Sequence, residues 1–320
     1  MNVKMVYSLL SPDLKKIEKE LENVLNANSS LLQKSSLHYL RAGGKRIRPV
    51  FVILSAKFGD YQFHKISNVA VALELIHMAS LIHDDVIDNA DLRRGKPTVK
   101  AKWDNRVAMY TGDYVLARSL ELITQLEDEN LHKILSDTMV ELSIGEIEQI
   151  RDKYDFDQSF TNYFRRIKRK TALLIAASCQ LGAIAAGVQP EIHEKLFKFG
   201  YYVGMAFQIT DDILDFTSDQ ERLGKPAGSD LLQGNITLPV LFALKNEKIR
   251  NEIVKVNEFM DLGDLHKIIE LIKSSNALER ANSISQLYVD KALKILNELP
   301  DYETKEHLRT IASFIGERKF

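Results

Sequence analysis

Apolar residues recur at helical spacing through most of this chain, and proline, glycine and charge mark the places where the spacing breaks. Seven prolines stand at Pro12, Pro49, Pro97, Pro190, Pro226, Pro239 and Pro300. None lies between Thr98 and Gln189, where apolar and charged positions interleave on a helical period and strand-like alternation is scarce. Ser11-Pro12-Asp13 reads as the N-cap, first position and acidic first turn of a helix. The pattern predicts an all-α protein of many long helices. No linker-like stretch divides it, so a single domain over residues 1–320 is expected.

Two predicted helices stand out. One runs from about His64 to Asp88 and is apolar nearly all round, which predicts a central position. The other runs from about Glu191 to Phe216. Each ends in Asp-Asp-x-x-Asp: Asp84, Asp85 and Asp88 in the first, Asp211, Asp212 and Asp215 in the second. A loop rich in charge follows each, with Gly-Lys-Pro at Gly95–Pro97 and again at Gly224–Pro226. The shared plan is too faint to establish a repeat.

Composition narrows the classes. Forty-three basic and 44 acidic side chains leave a net charge of -1, which argues against a dedicated nucleic-acid binder. The single Cys179 excludes an internal disulfide and sits in an apolar run, as a small core residue would. A reducing, cytoplasmic setting fits this usage. The N-terminus MNVKMVYSLLSPDLKK lacks a signal pattern. The most apolar run, Leu173 to Val188, contains Ser178, Cys179 and Gln180 and falls short of the roughly 20 residues a bilayer needs. A buried helix in a soluble protein is expected, with peripheral membrane contact left open.

Spacing i, i+1, i+4 puts three carboxylates on one side of a helix, where they repel one another. They also stand at the helix C-terminus, the end whose dipole favours cations. One such cluster would ordinarily be a solvated helix end; two, each closing an apolar helix, point to a paired site for Mg²⁺, which takes a few carboxylates plus substrate phosphates. Two such clusters facing each other would hold a diphosphate. Gly43-Gly44-Lys45-Arg46-Ile47-Arg48-Pro49 frees the backbone and supplies three cations suited to phosphate oxygens. His77 lies seven residues before Asp84 on the same face. Lys170-Thr171 closes the basic run from Arg165, most of which reads as a wet helix face with its last lysine turned inward.

The segments LIHDDVIDNADLRRGKPT, FQITDDILDF and GGKRIRP resemble those of the trans-polyprenyl diphosphate synthases, and the likeness runs from about Leu37 to the end. Within that family, AMYTGDYVLARSLE, GEIEQIRDKY, RRIKRKTALLIAASCQLGA and DLLQGNITLPVL look like the catalytic subunits of two-component bacterial heptaprenyl synthases. The resemblance implies a bundle of long, mostly antiparallel helices around a central cavity. It implies Mg²⁺ ions held by Asp84, Asp85, Asp88, Asp211, Asp212 and Asp215, and an allylic diphosphate, such as farnesyl diphosphate, contacted by Arg93, Lys170, Thr171, Gln208 and Lys225. The diphosphate of isopentenyl diphosphate would fall to Lys45, Arg48, His77 and Arg94. A small component 1 partner, with a homodimer as the other possibility, and use of the product in menaquinone are implied in the same way. Many short-chain relatives carry a lysine where this chain has Asn235, so one charge on the allylic diphosphate is either missing or supplied by a neighbour.

Ser80 precedes Asp84 by four residues, about 6 Å along the helix, and Ala79 lies beside it. Side chains this small leave room for a growing prenyl tail, which predicts a product longer than C20. Two other readings compete. A terpene cyclase of the same fold would not need a second diphosphate pocket, so Lys45, Arg48 and His77 count against it. A non-catalytic subunit typically loses the aspartates, and all six are here.

Overall fold

The computed structural model describes residues 2–217 and 227–316, and the elements below lie within them. The all-α expectation is met. The helices are α1 (Val3–Val24), α2 (Ser30–Leu40), α3 (Ile47–Ala56), α4 (Phe63–Ile87), α5 (Val99–Lys102), α6 (Asn105–Ile123), α7 (Glu129–Arg151), α8 (Phe160–Ile167), α9 (Leu173–Ala185) and α10 (Pro190–Thr217). They continue as α11 (Ser229–Leu232), α12 (Leu238–Ala243), α13 (Glu247–Ile253), α14 (Leu262–Ser274), α15 (Ala277–Asn297) and α16 (Glu303–Gly316). One antiparallel hairpin, β1 (Leu92–Arg93) with β2 (Lys96–Pro97), is the extended structure among the described residues.

Contacts group the chain into two compact units. The first comprises the chain up to Ser136 with Ala177–Phe197 and Leu299–Thr310. Its centre is α4, which packs against α3, α6 and α1. Burial of Val69, Ala70, Val71, Ala72, Leu73, Leu75 and Ile76 in succession explains why this helix carries no polar face. By length and composition α4 would also pass for a membrane span, but most of its surface is buried inside the protein. Cys179 is fully buried, and burial pushes its thiol up to about 12, as befits an unreactive core residue.

The expected helix start at Ser11-Pro12 is corrected here. Helix α1 begins at Val3, with Asn2 as its N-cap accepting from the Met5 amide at 3.0 Å, and Pro12 lies inside it. An internal proline removes one helical hydrogen bond and costs about 3 kcal/mol. The buried stripe Val6, Leu10, Ile17 and Leu21 runs through the proline on a single face and outweighs that cost.

The second unit comprises Asp137–Ala176, Lys198–Glu298 and the chain from Ile311. Its core gathers Met205, Ile209, Ile213 and Phe216 of α10 with Tyr163, Leu231, Ile236, Leu238, Ile268, Ile269 and Ala281. Between α8 and α9 the helix widens into a π-turn at Lys168–Ala172, which presents Lys170 and Thr171. Such turns concentrate at functional sites because they re-aim side chains without ending the helix. A Cβ on Gly204 would stand 2.6 Å from the Ala172 Cα, so glycine is what lets α10 lie against this turn.

Candidate active site

In the first unit the chain stops α4 at the aspartates. Asp88 is the C-cap, and Asn89 follows in the left-handed region at φ +52°. The Ala90 amide donates to the Asp85 carbonyl at 2.9 Å and the Asn89 amide to the Val86 carbonyl at 3.3 Å, the paired bonds of a Schellman stop. The hairpin then turns through Arg94 and Gly95, both at positive φ (+54° and +73°), as a tight type I′ connection demands. This returns Arg93 to the helix end, where its Nε donates to Asp85 Oδ1 at 2.7 Å.

Asp85 is almost fully buried, and its Oδ2 has no donor among the described residues. Burial raises its carboxyl to about 6; Arg93 opposes that rise, while Asp84 and Asp88 add to it. The unmet Oδ2 leaves a lone pair open to a further donor or a cation.

The three cations of the Gly43–Pro49 loop have different surroundings. Arg46, at φ +47°, forks onto Glu18 at 2.7 and 2.8 Å and reaches Glu74 at 3.1 Å and the Leu40 carbonyl at 3.2 Å. It therefore ties the loop to α1, α2 and α4. Lys45 is exposed on the same loop. Arg48 is buried, its Nε has no acceptor among the described residues, and burial lowers it to about 10, with Glu74 opposing that fall and Arg94 adding to it. Arg94 lies over Gly44: a Cβ there would stand 2.7 Å from Arg94 Nη1.

His77 sits among these guanidiniums. Burial first, then Arg48, Arg94, Arg93 and Arg46, hold its imidazole well below the ordinary range, so it is neutral at physiological pH. Arg48, His77 and Arg94 are thus brought together on this unit, close to Arg93 and Asp85. Ala79 is buried on α4, and the half-buried Ser80 folds its Oγ back onto the His77 carbonyl at 2.9 Å.

In the second unit the aspartates lie in the last turns of α10. Asp212 accepts from Tyr163 Oη at 2.7 Å and from Gln208 Nε2 at 2.8 Å, and Gln208 Oε1 accepts from Thr171 Oγ1 at 2.6 Å. Burial lifts Asp212 to about 7 against these hydrogen bonds. Asp215, also buried, accepts from Ser229 Oγ at 3.0 Å and from the Asp230 amide at 3.2 Å. Lys170 pairs with Glu146 at 2.8 Å.

The reading of Arg165–Lys170 as a wet face needs correction. Arg166 is buried, donating to Gln158 at 2.9 Å and to the Ile236 carbonyl at 2.7 Å. Arg169 bonds Glu141 at 2.8 Å and Glu148 at 2.6 Å, which lie on α7. Arg166 also bears on Asn235: it brings a cation to the neighbouring residue, while Asn235 Oδ1 and Thr237 Oγ1 are buried without partners among the described residues. Lys225 lies outside the described residues.

Glu146, Tyr163 and Arg166, which the structure sets against these side chains, are not singled out by the sequence: Glu146 and Arg166 lie inside the resembling segments GEIEQIRDKY and RRIKRKTALLIAASCQLGA, and nothing marks Tyr163.

Among the described residues no three His, Cys, Asp or Glu side chains converge into a closed ligand cage. A hard divalent cation such as Mg²⁺ takes a few carboxylates, with substrate oxygens and water as its other ligands. The orphaned Asp85 Oδ2 beside two further carboxylates on one helix end fits such an ion.

Comparison with known proteins agrees with this chemistry. The polyprenyl synthetase profile matches residues 29–272. The chain is 58% identical to heptaprenyl diphosphate synthase component 2 of Bacillus subtilis over 320 residues, all of this chain and 92% of that one. It superposes on a heptaprenyl diphosphate synthase of Staphylococcus aureus with TM-score 0.93 and 44% identity, covering 97% of this chain and 98% of that one. It also superposes on a polyprenyl synthase of Caulobacter crescentus solved with calcium and isoprenyl diphosphate, with TM-score 0.93 and 30% identity, covering 99% and 98% of the two chains.

Proposed function

Because the chain belongs to the polyprenyl synthetase family, prenyltransferases that condense isopentenyl diphosphate with allylic diphosphates, we propose that it extends farnesyl diphosphate to all-trans heptaprenyl (C35) diphosphate. The observation that carries this reading is the pairing, on one unit, of a carboxylate helix end with a group of guanidiniums acting on the buried His77. A cyclase needs the first and has no use for the second.

In this reading Asp84, Asp85 and Asp88, and likewise Asp211, Asp212 and Asp215, would hold Mg²⁺, which would supply positive charge to the leaving diphosphate. Arg93 orients Asp85 and faces the same diphosphate. Thr171 and Gln208 fix Asp212 from one side and Tyr163 from the other. Lys170 exchanges Glu146 for substrate. Lys45, Arg48 and Arg94 grip isopentenyl diphosphate, and neutral His77 offers it a hydrogen bond. The allylic C–O bond breaks, the isopentenyl double bond attacks the allylic carbon, and one proton leaves to form the new trans double bond. The protein's share is positioning and preorganised charge.

Likeness to proteins named component 2 supports a heterodimer with a small component 1 subunit, with a homodimer as the form without it. A cytoplasmic enzyme feeding menaquinone side-chain synthesis, with peripheral membrane contact on product release, completes the proposal. Incorporation of labelled isopentenyl diphosphate into a farnesyl-primed product, with component 1 added, tests it. Consumption of farnesyl diphosphate without incorporation would favour a cyclase.

A further inference from the structure

Tyr39 closes α2 with its side chain 4% exposed, yet its hydroxyl has no hydrogen-bond partner among the described residues. A buried tyrosine ordinarily finds a partner for its O–H, and an unmet one is costly. Phenylalanine would pack the same ring without that cost. The hydroxyl therefore needs another explanation, and its surroundings supply one.

The residues flanking Tyr39 fasten the end of α2 to the functional loops. His38 Nε2 lies 2.8 Å from the Pro97 carbonyl. The Leu40 carbonyl accepts from Arg46 at 3.2 Å, and the Arg41 carbonyl accepts from Lys96 Nζ at 2.6 Å. Tyr39 is thus held between the Gly43–Pro49 loop and the hairpin carrying Arg93 and Arg94. The charges acting on its phenol are those of Arg93, Asp85, Arg94 and Asp84. A phenol carries its proton in neutral solution, so the hydroxyl is a donor. Arg48 Nε is a second unmatched buried donor of the same unit, and Asp85 Oδ2 an unmatched acceptor. Donors left without acceptors beside guanidiniums suit an oxyanion.

We propose that the Tyr39 hydroxyl is a substrate contact, donating a hydrogen bond to a diphosphate oxygen of the allylic substrate beside Arg93. This rests on the prenyl-diphosphate reading and adds to it a residue no motif contains. A hydroxyl serving the ligand and not the fold has a distinctive signature: its removal weakens binding and spares the empty protein.

The test is Tyr39→Phe, measured on the full chain alone and mixed with a component 1 subunit. Calorimetry follows binding of farnesyl thiodiphosphate, a slowly ionising analogue, with Mg²⁺ and without isopentenyl diphosphate; thermal melting follows the unliganded chain. The expected result is affinity lower by about tenfold, as for a hydrogen bond to a charged group, with melting unchanged or higher. Equal affinity in native and variant chains overturns the proposal. So does a lower melting temperature in the variant, which marks a structural hydroxyl. If the native chain itself binds no analogue, the prenyl-diphosphate reading falls and the proposal with it.

Discussion

Asp85 carries two opposed demands in one side chain: Arg93 holds one oxygen, while the other is buried and unmet. Asp85→Asn keeps the shape and removes the charge. Isopentenyl incorporation should fall by about 10²-fold or more, with a higher Mg²⁺ requirement in a metal titration. His77 supports a second prediction. Its folded-state value lies below that of the unfolded chain, so the unfolded chain binds the extra proton. The contribution of His77 to stability is intact above about 6.5 and is lost as pH falls below it. Urea unfolding at descending pH should show this loss in the native chain and a shallower one in His77→Gln. The aspartates, His77 and Arg48 stand out as candidates in the sequence because each lies in a motif whose spacing has a chemical reason. Tyr39 and Tyr163 do not, since a tyrosine on an amphipathic helix looks the same whether its hydroxyl meets solvent, a carboxylate or nothing.

At the level of elements, α4 and α10 were predicted within one or two residues because apolar periodicity and the aspartate stops agree. The start of α1 was missed because local proline chemistry competed with a longer buried stripe, and the stripe won. The π-turn at Lys168–Ala172 has no periodicity of its own to reveal it. Gly204→Ala should destabilise the chain by about 1–3 kcal/mol in denaturant unfolding, because the new methyl meets the Ala172 backbone. It should also lower activity by displacing Lys170 and Thr171. On α4, Ala79→Tyr or Ser80→Phe should shorten the product toward C15 and C20, read by chromatography of the dephosphorylated alcohols. Unchanged product length would show that the tail does not pass these positions.

For the molecule as a whole, the chain matches its component 2 relatives along its entire length, and we propose that it is the catalytic half of a two-part enzyme. The central claim is that its carboxylate helix ends and the guanidiniums around His77 drive repeated addition of isopentenyl units to an allylic primer. Incubating the purified chain with farnesyl diphosphate, labelled isopentenyl diphosphate and Mg²⁺, with and without component 1, and sizing the products tests it most directly. The account predicts low conversion by the chain alone and a C35 product on mixing, abolished by chelation. Full C35 synthesis without the partner would contradict the two-part arrangement, and no incorporation under either condition would contradict the account itself.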